Sequence, residues 1–229
     1  MVSDKGIRGL VIKLAKGFED VQVDGTKMIC NCGILLSKLS NIALRSNLSG
    51  LEFASGIPGT LGGAIYMNAG AYGGEMKDVV KKVVYYKNGK LQETDKLDFG
   101  YRHSVFSDTD AVILSAELEL KCGKYEEIKA KMEDFSQRRS DKQPLSLPSA
   151  GSTFKRPEGF FAGKLIEDAG LKGYKIGGAM VSEKHSGFVV NIDDASCEDV
   201  LGLISHIQKV VFEKFGVKLE TEVKILGEF

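Results

Sequence analysis

Residues 149–157 read SAGSTFKRP, a small-residue corner that presents two hydroxyls, Ser152 and Thr153, ahead of an aromatic, two cations and a proline. Three uses are open to Ser152: a nucleophile, an acid, or a plain turn residue. A serine nucleophile needs a general base within hydrogen-bond reach, usually histidine. The chain has His103, His185 and His206, but no G-x-S-x-G elbow surrounds the serine.

A second candidate group lies in residues 55–74, SGIPGTLGGAIYMNAGAYGG, the most glycine-dense stretch of the chain. Glycine permits positive φ and removes the Cβ, so a ligand can lie against bare amides. Successive N–H groups of such a loop suit a pyrophosphate, and Ile57, Leu61 and Ala64 suit a flat ring. The spacing is neither a P-loop nor a dinucleotide fingerprint. A ligand-binding loop and tight backbone packing both stay open.

Charge elsewhere is local. Lys+Arg and Asp+Glu each total 31, so the formal net charge is zero, and no basic surface for nucleic acid is implied. Arg138 and Arg139 end a charged helical stretch, where cations complement the helix dipole. In LETEVKILG (219–227), strict alternation puts Leu219, Thr221, Val223 and Ile225 on one face and Glu220, Glu222 and Lys224 on the other. Cys30 and Cys32 sit in an apolar strand pattern with too few neighbouring ligands for a metal, so all four cysteines read as reduced thiols. No apolar run is long enough to span a bilayer and no signal peptide is evident, which reads as a cytoplasmic protein.

The elements that must position these groups follow from periodicity. IRGLVIKLA (7–15) reads as a buried strand, and VQVDGTKMICNCG (21–33) as an alternating segment with a tight turn at Asp24-Gly25. A helix is expected near residues 34–46, with Leu35, Leu39 and Ile42 at helical spacing. VVKKVVYYKNGKLQETD (79–95) is a hairpin with Asn88-Gly89 as a type I′ turn, and AVILSAELELK (111–121) is a further strand. A charged amphipathic helix carries Ile128, Met132 and Phe135, and a short helix at about 162–169 closes at Gly170. After the strand SGFVVNI (186–192), Ser196 with Asp199 starts a helix that runs through Val200, Leu203, Ile204, Ile207 and Val211 to Gly216. Strands and helices mix without a βαβ repeat. The class is therefore α+β in two domains, residues 1–122 and 123–229.

These motifs resemble a known family. GIPGTLGGAIYMNAGAYG is similar to the central signature of UDP-N-acetylenolpyruvoylglucosamine reductases. FGYRHSVF, KQPLSLPSAGSTFKRP, AGKLIEDAGLKGYKIGGAMVSEKHSGFVVN and LETEVKILG follow in the family's order, so the resemblance covers essentially the whole chain. It implies a partial FAD-binding domain of the vanillyl-alcohol-oxidase type followed by a smaller α+β substrate domain. It also implies FAD and NADPH as cofactors and UDP-N-acetylglucosamine enolpyruvate as substrate, with no metal, nucleic acid, membrane or obligate protein partner. By the same resemblance Ser152 is the proton donor, Arg102 stabilises the developing enolate through the carboxylate, and Glu222 is the catalytic carboxylate. Gly56, Ile57, Pro58, Gly59, Gly62, Gly63, Asn68, Ala69, Gly70 and Ala71 are expected at the cofactor. Lys142, Gln143, Arg156, Lys224 and Tyr101 are expected at the substrate, and Glu220 is left structural. Too little chain separates YRHSVF from KQP for the extra tyrosine-bearing loop of the longer family type, so the chain resembles the shorter type.

Family members begin well upstream of Met1, and the part expected to be missing holds the first βαβ lobe and the glycine-serine-asparagine loop that cradles the FAD pyrophosphate. The expectation is an N-terminally truncated member. Its alternative is a non-catalytic fragment that keeps nucleotide-sugar binding without flavin.

Overall fold

The computed structural model describes Met1–Glu228 and divides into two compact units. One is Ile12–Arg139; the other joins Met1–Val11 to the chain from Ser140 onward.

In the first unit, β1 (Val21–Asp24) and β2 (Lys27–Asn31) form the expected hairpin, closed at Gly25 with φ +57°. Helix α1 (Leu36–Arg45) and β3 (Leu48–Ser49) lead to the glycine segment, which contains α2 (Leu61–Tyr66), β4 (Gly70–Ala71) and β5 (Gly74–Glu75). The hairpin β6 (Val80–Lys87) and β7 (Lys90–Thr94) turns on Asn88 and Gly89, both at positive φ as a type I′ turn requires. Strand β8 (Val112–Glu119) then lies at the centre of a five-stranded antiparallel sheet of order β1-β2-β8-β6-β7. Alternation decides which face is core: Met28 and Cys30 point inward from β2, while Ile29 points out. Leu39 and Ala43 of α1 and Leu61 and Ile65 of α2 complete that core.

Strand β9 (Lys121–Cys122) pairs with β3 and leads into α3 (Tyr125–Lys142). The domain division expected at residue 122 lies at Arg139–Ser140 in the structure. The reason is side-chain packing that composition does not report. Ile128 of α3 is buried, and Phe135 stacks on Tyr72 at 4.6 Å between ring centroids, so the helix belongs with the sheet before it.

The second unit has β10 (Ser149–Ser152), α4 (Ala162–Asp168), β11 (Lys175–Ile176), β12 (Ala179–Val181), β13 (Phe188–Asn191) and α5 (Cys197–Phe215). Its sheet runs β10-β13-β12-β11, all antiparallel. Leu165 and Ile166 of α4 and Leu203, Ile204, Ile207 and Val211 of α5 pack on Val181 and Val189. The expected capping box is present: Ser196 Oγ accepts from Asp199 N at 3.0 Å, and the Asp199 carboxylate accepts from Ser196 N at 3.0 Å. Asp4 adds a second cap, accepting from Cys197 N and Glu198 N at 2.7 and 3.0 Å. Gly216, at φ +69°, stops the helix.

Two sequence expectations fail. IRGLVIKLA is not a buried strand: no described strand pairs with it, and Leu10 is 86% exposed. An apolar run becomes a buried strand only when neighbours satisfy its backbone on both sides. LETEVKILG is not a continuous strand either; it is an extended segment held by isolated bridges at Phe154–Thr221 and Val2–Leu226. Its inward face survives as Leu219, Thr221, Val223 and Ile225, which are buried or half-buried, with Glu220 and Lys224 exposed. At the start of α1, Leu35 is exposed at the cap position, and Leu36 takes the buried place.

Candidate active site

Ser152 is the last residue of β10, opposite Phe188 of β13. The register shifts between Ser149 and Ser152, where Gly151 adopts φ +82°, so the strand carries an irregularity just before the serine. The result is an exposed Ser152 next to a buried Thr153. Thr153 is hydrogen-bonded on every side. Its N–H donates to Gly187 O at 2.9 Å, its Oγ1 accepts from Val189 N at 3.0 Å, and its carbonyl accepts from Glu222 N at 2.9 Å. Lys155 N donates to Glu220 O at 2.8 Å two residues further on. Ser152 and Glu222 are thus brought onto neighbouring backbone, although they stand 70 positions apart in the sequence. Glu220 forms an ion pair with Lys155.

The remaining residues expected at the substrate in this unit are spread around that core. Arg156 lies over the Phe161 ring, 4.0 Å from its centroid. Lys224 is exposed, and its carbonyl accepts from the Met1 ammonium at 2.8 Å. Gln143 is half-buried, with its carbonyl accepting from Leu145 N at 2.9 Å. Lys142 is close enough to His185 to oppose its protonation.

In the other unit, Tyr101 and Arg102 form the tip of a tight turn in which Gly100 N donates to His103 O at 3.0 Å. Arg102 has φ +54°, a conformation a non-glycine residue holds only when its surroundings enforce it. Asn68 ties down the start of that turn. Its Nδ2 donates to Gly100 O at 3.0 Å and to Glu75 Oε2 at 2.8 Å, and its Oδ1 accepts from Lys77 N at 3.0 Å. Glu75 also pairs with Lys77 at 2.9 Å. The Lys77 hydrogen bond, with smaller help from Asn68 and Arg102, holds the Glu75 carboxyl below its usual range. Arg102 lies over the Tyr101 ring at 5.3 Å.

The glycine segment divides into two kinds of position. Gly62 is packed: a Cβ there would lie 3.2 Å from Cys32 Cβ and O. Gly70 is tighter still, 2.7 Å from Glu75 Cγ and 2.8 Å from Gly74 O, and Ala71 pairs with Gly74 in the β4–β5 hairpin. Asn68 and Ala69 are buried, and Asn68's amide is engaged with protein as just described. Gly59 is different, with φ +141° and nothing within 4 Å of a Cβ. Gly63 meets only Thr60 Oγ1 at 3.8 Å, and Ile57 and Pro58 join the same loop. Beside Gly56 lies Arg139, whose Nε is buried without a hydrogen-bond partner among the described residues.

Sequence reasoning missed Thr153 and Asn68 as the groups that hold Ser152, Glu222 and Arg102 in place. Both residues lie inside the quoted motifs, and a polar side chain within each was the available signal. Positive φ at Arg102 has no signal in residue type.

Comparison with known proteins places the chain in a family. The FAD binding domain family matches residues 1–95, and the UDP-N-acetylenolpyruvoylglucosamine reductase C-terminal domain family matches residues 143–226. The UDP-N-acetylenolpyruvoylglucosamine reductase of Caldanaerobacter subterraneus is 59% identical over 231 aligned positions, which take in 100% of this chain and 76% of the relative. That of Clostridioides difficile is 55% identical over the same shares. The crystal structure of the Thermus caldophilus enzyme of that name superposes with a TM-score of 0.86 at 36% identity, covering 97% of this chain and 80% of the other. The chain belongs to the UDP-N-acetylenolpyruvoylglucosamine reductase family.

Proposed function

We propose that this flavin oxidoreductase reduces UDP-N-acetylglucosamine enolpyruvate to UDP-N-acetylmuramate with NADPH and FAD, a cytoplasmic step of peptidoglycan precursor synthesis. Family membership supports the reaction, and the observation that carries the assignment of roles is the hydrogen bond that sets Glu222 beside the Ser152 strand.

The residues of the glycine segment fit a bound flavin nucleotide. Gly59 and Gly63 leave backbone open where a side chain would intrude, and Arg139 Nε beside Gly56, without a hydrogen-bond partner among the described residues, is a donor suited to a ligand acceptor. Gly56, Ile57, Pro58, Gly59 and Gly63 would hold it, while Gly62, Asn68, Ala69, Gly70 and Ala71 support the loop by packing. When bound, FAD carries hydride from NADPH to the methylene carbon of the enolpyruvyl ether.

Hydride at the methylene carbon leaves an electron pair on the adjacent carbon, delocalised into the carboxylate. Arg102 stabilises that developing charge through its planar fork. An aliphatic hydroxyl is a poor acid in water, but a carbanion-like carbon is a very strong base, so a well-held serine suffices. The Ser152 O–H bond breaks, a C–H bond forms, and the alkoxide regains a proton from solvent. Glu222 orients the serine and balances local charge. Lys142, Arg156 and Lys224 provide cations for the diphosphate, with Gln143 and Tyr101 completing the substrate contacts.

The purified chain tests this directly. Flavin absorbance, with NADPH consumption and UDP-N-acetylmuramate formation only when the enolpyruvyl substrate is added, is the expected result. A colourless protein that neither oxidises NADPH nor forms product, even with added FAD, would contradict it.

A further inference from the structure

The loop between β12 and β13, Ser182–Gly187, ends on the residue that supports the Ser152 strand. His185 lies inside it. Its Nδ1 accepts from Gly187 N at 3.0 Å, and its ring packs edge-on to Phe188 with centroids 5.0 Å apart. The imidazole also presses on Gly163 of α4, where a Cβ would lie 3.2 Å from its Cε1. Ser182 Oγ accepts from Lys184 N at 3.2 Å and His185 N at 3.3 Å, which closes the loop from its other end. The adjacent Ser186 hydroxyl is buried with no partner among the described residues, a local penalty that the other contacts must outweigh.

From His185 a continuous run of hydrogen bonds leads to the chemistry. Gly187 N–H is held by His185, Gly187 O holds Thr153 N–H, and Thr153 O holds Glu222 N–H, with steps of 3.0, 2.9 and 2.9 Å. We propose that His185 is a positioning residue for the Ser152–Glu222 pair, acting through Gly187 and Thr153 and only while its Nδ1 is unprotonated. The proposal rests on the reading of Ser152 as proton donor.

The groups around the ring favour that state. Burial is the largest influence and lowers the His185 pKa below its ordinary value. A backbone hydrogen bond at His185 and Glu167 of α4 oppose it, and Lys142, at the end of α3, acts with burial. Within the loop, Lys184 Nζ donates to Ser140 O at 2.6 Å, and Glu183 lies against Gly173. Protonation turns Nδ1 into a donor facing the Gly187 N–H donor, so the first link of the run is lost and the Gly187–Thr153 step loses its support from the loop.

The test compares the full chain with His185→Asn and His185→Ala across pH. Asn places a non-titrating acceptor close to Nδ1; Ala places none. Wild type is expected to lose kcat for substrate reduction as pH falls through the His185 range, at little change in KM. His185→Asn keeps the neutral-pH kcat and loses the acid limb, while His185→Ala drops kcat by up to about 100-fold at every pH. In the wild-type NMR titration, the Gly187, Thr153 and Glu222 amides move with the His185 imidazole midpoint. Amides of Thr153 and Glu222 that stay fixed through that titration overturn the proposal, as does an Ala variant that behaves like Asn. Amides that follow His185 in a protein whose Ser152→Ala variant still reduces substrate normally would instead remove the proton-donor reading.

Discussion

The carbonyl of Thr153 accepts the main-chain N–H of Glu222 at 2.9 Å, and this bond puts the SAGSTF and LETEVKILG motifs side by side. Thr153 is fully engaged because its Oγ1 also accepts from Val189 N, in a site closed to water. Thr153→Val keeps the shape but orphans that buried N–H. The expected loss is about 1–3 kcal/mol of stability, together with a fall in kcat, read by denaturant unfolding and steady-state kinetics. Thr153→Ser keeps the acceptor and should stay near wild type in both.

Arg102, the proposed enolate-stabilising residue, sits on strained backbone. Its φ of +54° suits glycine better than arginine, so Arg102→Gly relieves strain while losing the guanidinium. Thermal stability should hold within about 1 kcal/mol while turnover falls by about 100-fold or more. Arg102→Ala keeps the strained backbone and should lose stability as well as activity, so the pair separates the two effects.

The glycines of residues 56–63 are not equivalent. Gly62→Ala drives a methyl toward Cys32 and should destabilise by about 1–3 kcal/mol. Gly63→Ala meets only Thr60 at 3.8 Å, so its unfolding midpoint should hold while flavin content per chain falls. Denaturant unfolding of the two purified variants checks the stabilities, and their flavin-to-protein absorbance ratios check the flavin content.

Burial raises the Cys30 thiol from 9.0 to about 12 and raises Cys32 further. In each case the native state keeps its proton when the unfolded chain has lost it. The associated stability is therefore complete below pH 9 and declines as pH climbs through the raised values. A thiol reagent at neutral pH should modify the exposed Cys122 quickly, and Cys30, Cys32 and Cys197 only on unfolding. Rapid labelling of Cys30 in the folded protein would contradict this.

Local chemistry was legible in the sequence where one short segment decides the outcome. Asn88-Gly89 sets its own turn, Ser196 and Asp199 cap their own helix, and alternation in β2 and β8 chooses the core face. What depends on distant partners was not. IRGLVIKLA has strand composition but no described strand beside it, and LETEVKILG is held at isolated bridges rather than along a ladder. The site shows the same split. The motifs named Ser152, Arg102 and Glu222, but the hydrogen bond of Asn68 to Gly100 and those of Thr153 appear only in three dimensions.

In the proposed reaction, Ser152 protonates the carbon next to the one that receives hydride. Single-turnover kinetics of Ser152→Ala, with the two half-reactions followed separately by flavin absorbance, test it most directly. Flavin reduction by NADPH should proceed at nearly the wild-type rate, while reoxidation by UDP-N-acetylglucosamine enolpyruvate slows by about 100- to 10,000-fold. Equal slowing of both half-reactions, or none in the second, would contradict the account.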